Sequence, residues 1–179
     1  RALDLGAGEG ANSIWLARRG WEVTSIEQAP VAIDTLARLA TGEGLSIRGE
    51  VADVANYCTD VQYDLVLICY LPLPADTRRR TLVNAAAALG PGGVLLLIGI
   101  PVSAPGPVEP AISHKPSVSL GVADEIAGSF PQLSIERCDV RRRVIGCAEG
   151  ELRSDVMLIR ARRAVSDDAG DLRSADPCT

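Results

Sequence analysis

The chain has 179 residues, 47% of them hydrophobic but only 3% aromatic, and a formal net charge of -5. That length suits one domain with a substantial core of Leu, Val, Ile and Ala, and the acidic balance argues against a general nucleic-acid binder, which needs basic surface to neutralise phosphates. The longest apolar run, around residues 93–102, is too short to span a bilayer. The five cysteines, accompanied by a lone histidine, show no paired metal-ligand spacing, so reduced thiols in a cytoplasmic protein without a metal are expected.

Ala2, Leu3 and Leu5 make a short apolar run suited to a buried parallel strand, and Gly6, Gly8 and Gly10 follow it in a turn whose backbone can approach a bound molecule closely. Helical spacing takes over at Ala11, Ile14, Trp15 and Arg18, with Gly20 placed to end the helix. First-turn amides would then face a ligand over the glycines. A second strand over residues 22–26 ends in Glu27, about 17 residues beyond Gly10, near the spacing at which a carboxylate reaches ribose hydroxyls; alone, Glu27 would read as a solvated strand end.

Pro30 suits the first turn of a second helix, with Ile33, Leu36, Ala37 and Ala40 at helical spacing before Gly42 and Gly44. Residues 46–51 read as a third strand, and Asp53 follows it. Residues 63–69 are continuously apolar, as a central parallel strand should be, and lead into Tyr70-Leu71-Pro72-Leu73-Pro74. Asp76 is placed to cap a third helix with Leu82, Val83, Ala86 and Leu89 inward, ending at Gly90-Pro91, and residues 94–100 form a fifth strand. The proline-rich stretch 101–116 reads as an acceptor-side cover, followed by a helix carrying Val122, Ala123, Ile126, Ala127 and Phe130. Residues 133–144 and 152–162 form an antiparallel hairpin joined through Gly146 and Gly150. The resulting expectation is one domain over 1–164 and a disordered acidic tail over 165–179. The runs Arg78-Arg79-Arg80, Arg141-Arg142-Arg143 and Arg160 with Arg162-Arg163 read as solvated faces.

The stretch Asp4-Leu5-Gly6-Ala7-Gly8-Glu9-Gly10, then Glu27, Asp53 and Leu89-Gly90-Pro91-Gly92-Gly93 before an apolar strand, resembles the ordered motifs of class I S-adenosylmethionine-dependent methyltransferases across residues 1–163. Gly8-Glu9-Gly10-Ala11-Asn12-Ser13 and the ending Asp155-Val156-Met157-Leu158-Ile159-Arg160-Ala161-Arg162 are most similar to small bacterial enzymes of the tellurite-resistance and ubiquinone-biosynthesis type. Ala11 stands where the tellurite-resistance type usually has arginine, so that substrate is not carried over. The resemblance implies an α/β, doubly wound, Rossmann-like and mostly parallel seven-stranded sheet of order 3-2-1-4-5-7-6, strand 7 being antiparallel. It implies S-adenosylmethionine as cofactor, held by Asp4, Gly6, Ala7, Gly8, Asn12, Glu27, Gln28, Asp53, Val54 and Cys69. Asp53 would accept the adenine amino group, or else be an ordinary helix cap, and the Val54 amide would meet the adenine ring.

Tyr70 and Leu71 would then shape a pocket for a small-molecule acceptor, with neither nucleic acid nor membrane as partner. The sequence Cys69-Tyr70-Leu71-Pro72 replaces the Asn/Asp-Pro-Pro-aromatic motif common in enzymes that methylate amide or exocyclic amine nitrogens. Because a sulfonium donor is already activated, catalysis can rest on alignment and exclusion of water, with His114 the candidate base where the acceptor must lose a proton. Family members usually carry helices before the glycine corner, so the sequence is expected to be N-terminally truncated and its donor site open. Two other readings stand beside this one: a non-catalytic donor-binding domain acting through a partner, and a dinucleotide-dependent oxidoreductase, which would want glycines spaced GxGxxG.

Overall fold

A computed structural model describes residues 1–101, 117–118, 121–147 and 150–165, with side chains for 1–99, 122–141 and 155–165. The elements run β1 (Ala2–Leu5), α1 (Ala11–Ala17), β2 (Val23–Glu27), α2 (Pro30–Gly42), β3 (Ile47–Val51), β4 (Tyr63–Cys69), α3 (Ala75–Ala88), β5 (Leu89–Pro101), β6 (Ser117–Val118), α4 (Gly121–Ser129), β7 (Leu133–Cys147) and β8 (Gly150–Arg163). Seven strands lie in the order β3-β2-β1-β4-β5-β8-β7, and the two-residue β6 pairs in parallel with the end of β5. β1 pairs in parallel with both β2 and β4, while β8 is antiparallel to β5 and to β7. The topology is the one the resemblance implied, with β6 an addition.

All four residues of β1 are buried, because strands flank it on both sides and packing covers both faces. Its alternation sends Leu3 and Leu5 to one face, where they join Val66, Ile68, Leu95, Leu97, Met157 and Ile159 under Leu82, Ala85 and Ala86 of α3 and Val122 and Ile126 of α4. Ala2 belongs to the opposite layer, with Val23, Leu67 and Leu16 of α1. Asp4 shares the face of Ala2, and that polar exception in a buried strand prepares the site.

Several elements depart from their predicted limits. Trp15 is 51% exposed, with the Arg19 guanidinium 3.6 Å from its ring centroid, and α1 instead buries Ser13, Ile14 and Leu16. Apolar spacing in a helix of seven residues does not fix its buried face, and an arginine over the indole face compensates an exposed tryptophan. In α3, Val83 is exposed while Thr81, Ala85 and Ala88 are buried, and Leu89 already belongs to β5, paired with Tyr63. The hairpin strands exceed their predicted spans on either side of the turn, β7 starting at Leu133 as predicted but running to Cys147, and β8 running from Gly150 to Arg163. Cys138 and Cys147 lie on the same strand, β7, and so do not face each other across the hairpin. Cys69 and Cys138 carry free thiols, whereas Cys58 is disulfide-bonded, correcting the expectation that all five are reduced; pairing depends on Cα geometry that spacing does not report.

The arginines of the described basic runs are largely paired. Arg78 meets Glu125 at 3.2 Å across α3 and α4, Arg141 meets Asp139 at 2.9 Å, and Glu136 accepts from both Arg160 and Arg162. Among the described residues no helix is long and apolar enough to cross a membrane.

Candidate donor and acceptor site

The turn from β1 into α1 is fixed to β2 by two backbone bonds, with the amides of Gly6 and Ala7 donating to the Ile26 carbonyl at 2.9 and 3.0 Å. Gly6, Gly8 and Gly10 all have left-handed φ values, 76°, 55° and 84°, which side-chain-bearing residues adopt only at a cost. Each glycine has a different surrounding. A Cβ on Gly10 would lie 2.1 Å from Leu36 Cδ1, so Gly10 admits α2 against the corner; one on Gly6 would lie 2.8 Å from both Leu71 methyls. A Cβ on Gly8 would meet nothing within 4 Å among the described residues. The open ground of the corner is therefore at Gly8.

Two carboxylates stand on the strands next to the corner, Glu27 on β2 and Asp4 on β1. Glu27, half-buried at the tip of β2, accepts the Gly8 amide on Oε2 and the Ala29 amide on Oε1, each at 3.0 Å. A carboxylate has about four acceptor sites, so both oxygens keep capacity for further donors. Asp4 is wholly buried; its Oδ2 accepts the Ser13 hydroxyl at 2.6 Å, and Ser13 Oγ accepts the Ser25 hydroxyl at 2.8 Å. Asp4 Oδ1 is buried and has no partner among the described residues. Burial raises the Asp4 carboxyl from an ordinary 3.8 to about 6, with the Ser13 hydroxyl opposing the rise and the Glu27 charge adding to it. Burial also lifts the Cys69 thiol to about 12, helped by the Asp4 charge, which favours the neutral thiol.

Asp53 sits in the turn after β3, accepting the Ala55 amide at 2.9 Å and the Asn56 side-chain amide at 2.8 Å. No helix follows, so the helix-cap alternative becomes an Asx turn, and buried Val54 anchors that turn in the core. Asn12 and Gln28 are exposed, in the first turn of α1 and just past the tip of β2. Across the corner, Tyr70 has a left-handed φ of 52° and donates its amide to the Ile98 carbonyl at 2.8 Å, which turns Leu71 onto Gly6 and into the core margin. His114, with most of the 101–116 stretch, lies outside the described residues, as does the tail beyond residue 165.

Ser13, Ser25 and the Tyr70 backbone were not singled out from the sequence. Ser25 had a usable signal: it occupies the inward position between Val23 and Glu27 on β2, where an apolar residue is the rule. Nothing at Tyr70 signalled a positive φ.

A parallel sheet of this order, closed by an antiparallel hairpin and carrying a glycine corner after its central strand, is a class I methyltransferase fold. The chain belongs to the family described as a methyltransferase domain, whose match covers residues 2–93. It is 32% identical over 92 residues to the 2-heptyl-1-hydroxyquinolin-4(1H)-one methyltransferase of Mycobacteroides abscessus, taking in 48% of this chain and 40% of that protein. It is 30% identical over 105 residues to the ribosomal RNA small subunit methyltransferase C of Alcanivorax borkumensis, taking in 55% of this chain and 31% of that protein. The chain thus spans less than half the length of these curated relatives. Among solved structures it is similar to a SAM-dependent methyltransferase of Methanosarcina mazei, with 18% identity, a TM-score of 0.71 and 92% of each chain covered. It is also similar to TehB of Haemophilus influenzae, with 19% identity, a TM-score of 0.69, and 90% of this chain and 57% of that one covered.

Proposed function

We propose that this domain holds S-adenosylmethionine over Gly8 and transfers its methyl group to a small-molecule acceptor. The observation that carries this reading is the Glu27 carboxylate on the amide of a left-handed glycine whose Cβ position meets no described atom within 4 Å, with the buried Asp4 carboxylate on the strand that leads into the corner. A donor with a ribose diol at one end and an ammonium at the other matches that charge pattern. When bound, it supplies a methyl already activated on a sulfonium. Glu27 would accept the two ribose hydroxyls, Asp53 the adenine amino group, and the Val54 amide the ring; Gly6, Ala7 and Gly8 let the backbone approach, Asn12 and Gln28 form the rim, and Cys69 the wall. Tyr70 and Leu71 would exclude water on the acceptor side, where alignment rather than side-chain chemistry governs the rate.

The similarity to a quinolone methyltransferase supports a small-molecule acceptor. Against a nucleic-acid base stand the net charge of -5 and the sequence Cys69-Tyr70-Leu71-Pro72 at the β4 loop. Calorimetry with S-adenosylhomocysteine and with NADH tests the cofactor, the first binding and the second not. Glu27→Ala should weaken S-adenosylhomocysteine binding by roughly tenfold or more, since hydrogen bonds to a charged group contribute about 1.5 to 3 kcal/mol each, with the circular dichroism of the fold retained. Unchanged affinity would remove Glu27 from the site. Turnover against a panel of small aromatic hydroxyl and amine acceptors, with ribosomal RNA as comparator, tests the acceptor class.

A further inference from the structure

We infer that Arg78 is the anion anchor of the acceptor side: its guanidinium receives a carboxylate of the acceptor, whose apolar part lies against Leu71 and Leu73. The acceptor class is then a small organic monocarboxylate. This deepens the methyl-transfer reading given above and rests on it.

Between α3 and the carboxyl ends of β4 and β5 lies a cavity of about 20 Å³, walled by Ile68, Leu71, Leu73 and Leu97, to which α3 contributes Arg78 and Thr81. That volume suits one small group, so it takes the carboxylate while the body of the acceptor stays outside against the loop. Leu71 is a wall shared with the glycine corner, since its methyls also stand 2.8 Å from where a Cβ on Gly6 would lie. A group in the cavity is therefore one side chain away from the seat assigned to the donor. The Thr81 hydroxyl donates back to the Thr77 carbonyl at 2.9 Å, so among the described side chains of the cavity only Arg78 has N–H groups to offer. Arg78 gives Nε to Glu125 Oε2 at 3.2 Å, and its Nη1 and Nη2 have no partner among the described residues. Those two groups are reachable, because Asp4 Oδ1 is the one buried side-chain atom without a partner among the described residues. Arg18 shows the alternative. That side chain, 55% exposed, engages Glu43 through Nε at 2.7 Å and Nη2 at 2.6 Å, whereas Arg78, only 25% exposed, makes a single longer bond and keeps its fork open. An arginine serving only to clamp α3 to α4 would use that fork; two free Nη groups instead match the two oxygens of a carboxylate. Glu125 limits the charge, since it already balances the guanidinium and would repel a dianion such as phosphate more than a monoanion.

The experiment titrates benzoate and benzamide, a carboxylate and a neutral compound of nearly the same shape, into the protein saturated with S-adenosylhomocysteine, and follows the ligands by NMR. Benzoate should bind at least about fivefold more tightly than benzamide. Arg78→Gln should cut that ratio below about twofold, and Arg78→Lys should keep part of it. Glu125→Gln should raise the ratio about threefold, because it removes the carboxylate that competes for the guanidinium. That opposite sign separates an anchor from a structural ion pair, whose loss at either residue would act on both probes alike. Should Arg78→Gln fail to fold, Arg78→Lys and Glu125→Gln decide the matter. Equal binding of the two probes by the unsubstituted protein, a ratio unmoved by substitution of Arg78, or a ratio that falls in Glu125→Gln would overturn the anchor while leaving the donor site standing. Tighter binding of inorganic phosphate than of benzoate would overturn the monocarboxylate class. Failure of the unsubstituted protein to bind S-adenosylhomocysteine would instead overturn the donor reading, and the acceptor assignment with it.

Discussion

The two turns that face each other at the carboxyl end of the sheet solve the same geometric problem in opposite ways. After β1, the chain turns through Gly6, Gly8 and Gly10, each at positive φ, and the turn is underlain by the buried polar set Asp4, Ser13 and Ser25. After β4, it turns through Tyr70 at a φ of 52°, a conformation that glycine would adopt freely, and the loop is filled with Leu71, Pro72, Leu73 and Pro74. The glycine corner is built from bare backbone and buried charge, so a few local residues determine it. The loop opposite is built from apolar packing and one strained residue, which persists only because the surroundings over-determine it. A seat for a common donor can be local and fixed, whereas a surface for a particular acceptor can vary with the side chains that fill it.

The sharpest way to break this comparison is to give the corner a side chain where it has open ground. In Gly8→Val the new Cβ would meet no described atom within 4 Å, so the added group would project into the space assigned to the donor. We expect at least about a hundredfold loss of S-adenosylhomocysteine affinity, with the fold destabilised by only about 1 to 2 kcal/mol through the left-handed φ. Calorimetry and urea unfolding read the two effects separately. A co-crystal with the nucleoside lying over the valine would show that the donor sits elsewhere.

This contrast also explains what the sequence made legible. Glycine spacing, the strand-end Glu27 and the apolar run of β4 are local features whose physical reasons act within a few residues, and they led directly to the corner, whereas the strand order came from the family resemblance. Asp53 was legible only halfway: its position was right, but a turn and a helix cap begin with the same residue type. The hydrogen bonds that join Ser25, Ser13 and Asp4 were missed because Ser13 and Ser25 are twelve residues apart and become partners only when α1 packs across β1 and β2. Tyr70 was missed because its conformation is imposed by Ile98 of the neighbouring strand. Trp15 misled because apolar spacing in a seven-residue helix barely distinguishes one face from the next.

A smaller effect tests the claim that the corner holds a charge at some cost to stability. Asp4 rises from 3.8 to about 6 on folding, chiefly through burial, so between those values the folded state holds a proton that the unfolded chain has released. Stability is then greatest below 3.8, falls as the pH climbs through about 6, and is level above. The neutral Asp4→Asn should be free of that fall. Its gain over the unsubstituted protein should reach at most about 3 kcal/mol at roughly pH 7.5 and shrink towards nothing near pH 4, while its S-adenosylhomocysteine affinity drops. Urea midpoints at the two pH values check this. A gain independent of pH, or none, would mean that the buried carboxylate is compensated in some other way.

The smallest predicted effect lies where the two turns touch. A Cβ at Gly6 would sit 2.8 Å from both methyls of Leu71, so Gly6→Ala combines two penalties, a left-handed φ for alanine and displacement of Leu71 from the corner. The first belongs to the corner alone, and the second exists only while the loop holds a large side chain there. Leu71→Ala by itself should cost about 1 kcal/mol, as a half-buried leucine loses part of its packing. In the double substitution the displacement penalty disappears, so the combined loss should be smaller than the sum of the single losses by about 0.5 to 1 kcal/mol. A double-mutant cycle in urea measures that difference. Strict additivity would mean that Leu71 swings aside without resistance and that donor corner and acceptor loop are mechanically independent. The expected coupling would mean that whatever seats Leu71, an acceptor included, also tightens the backbone on which the donor rests.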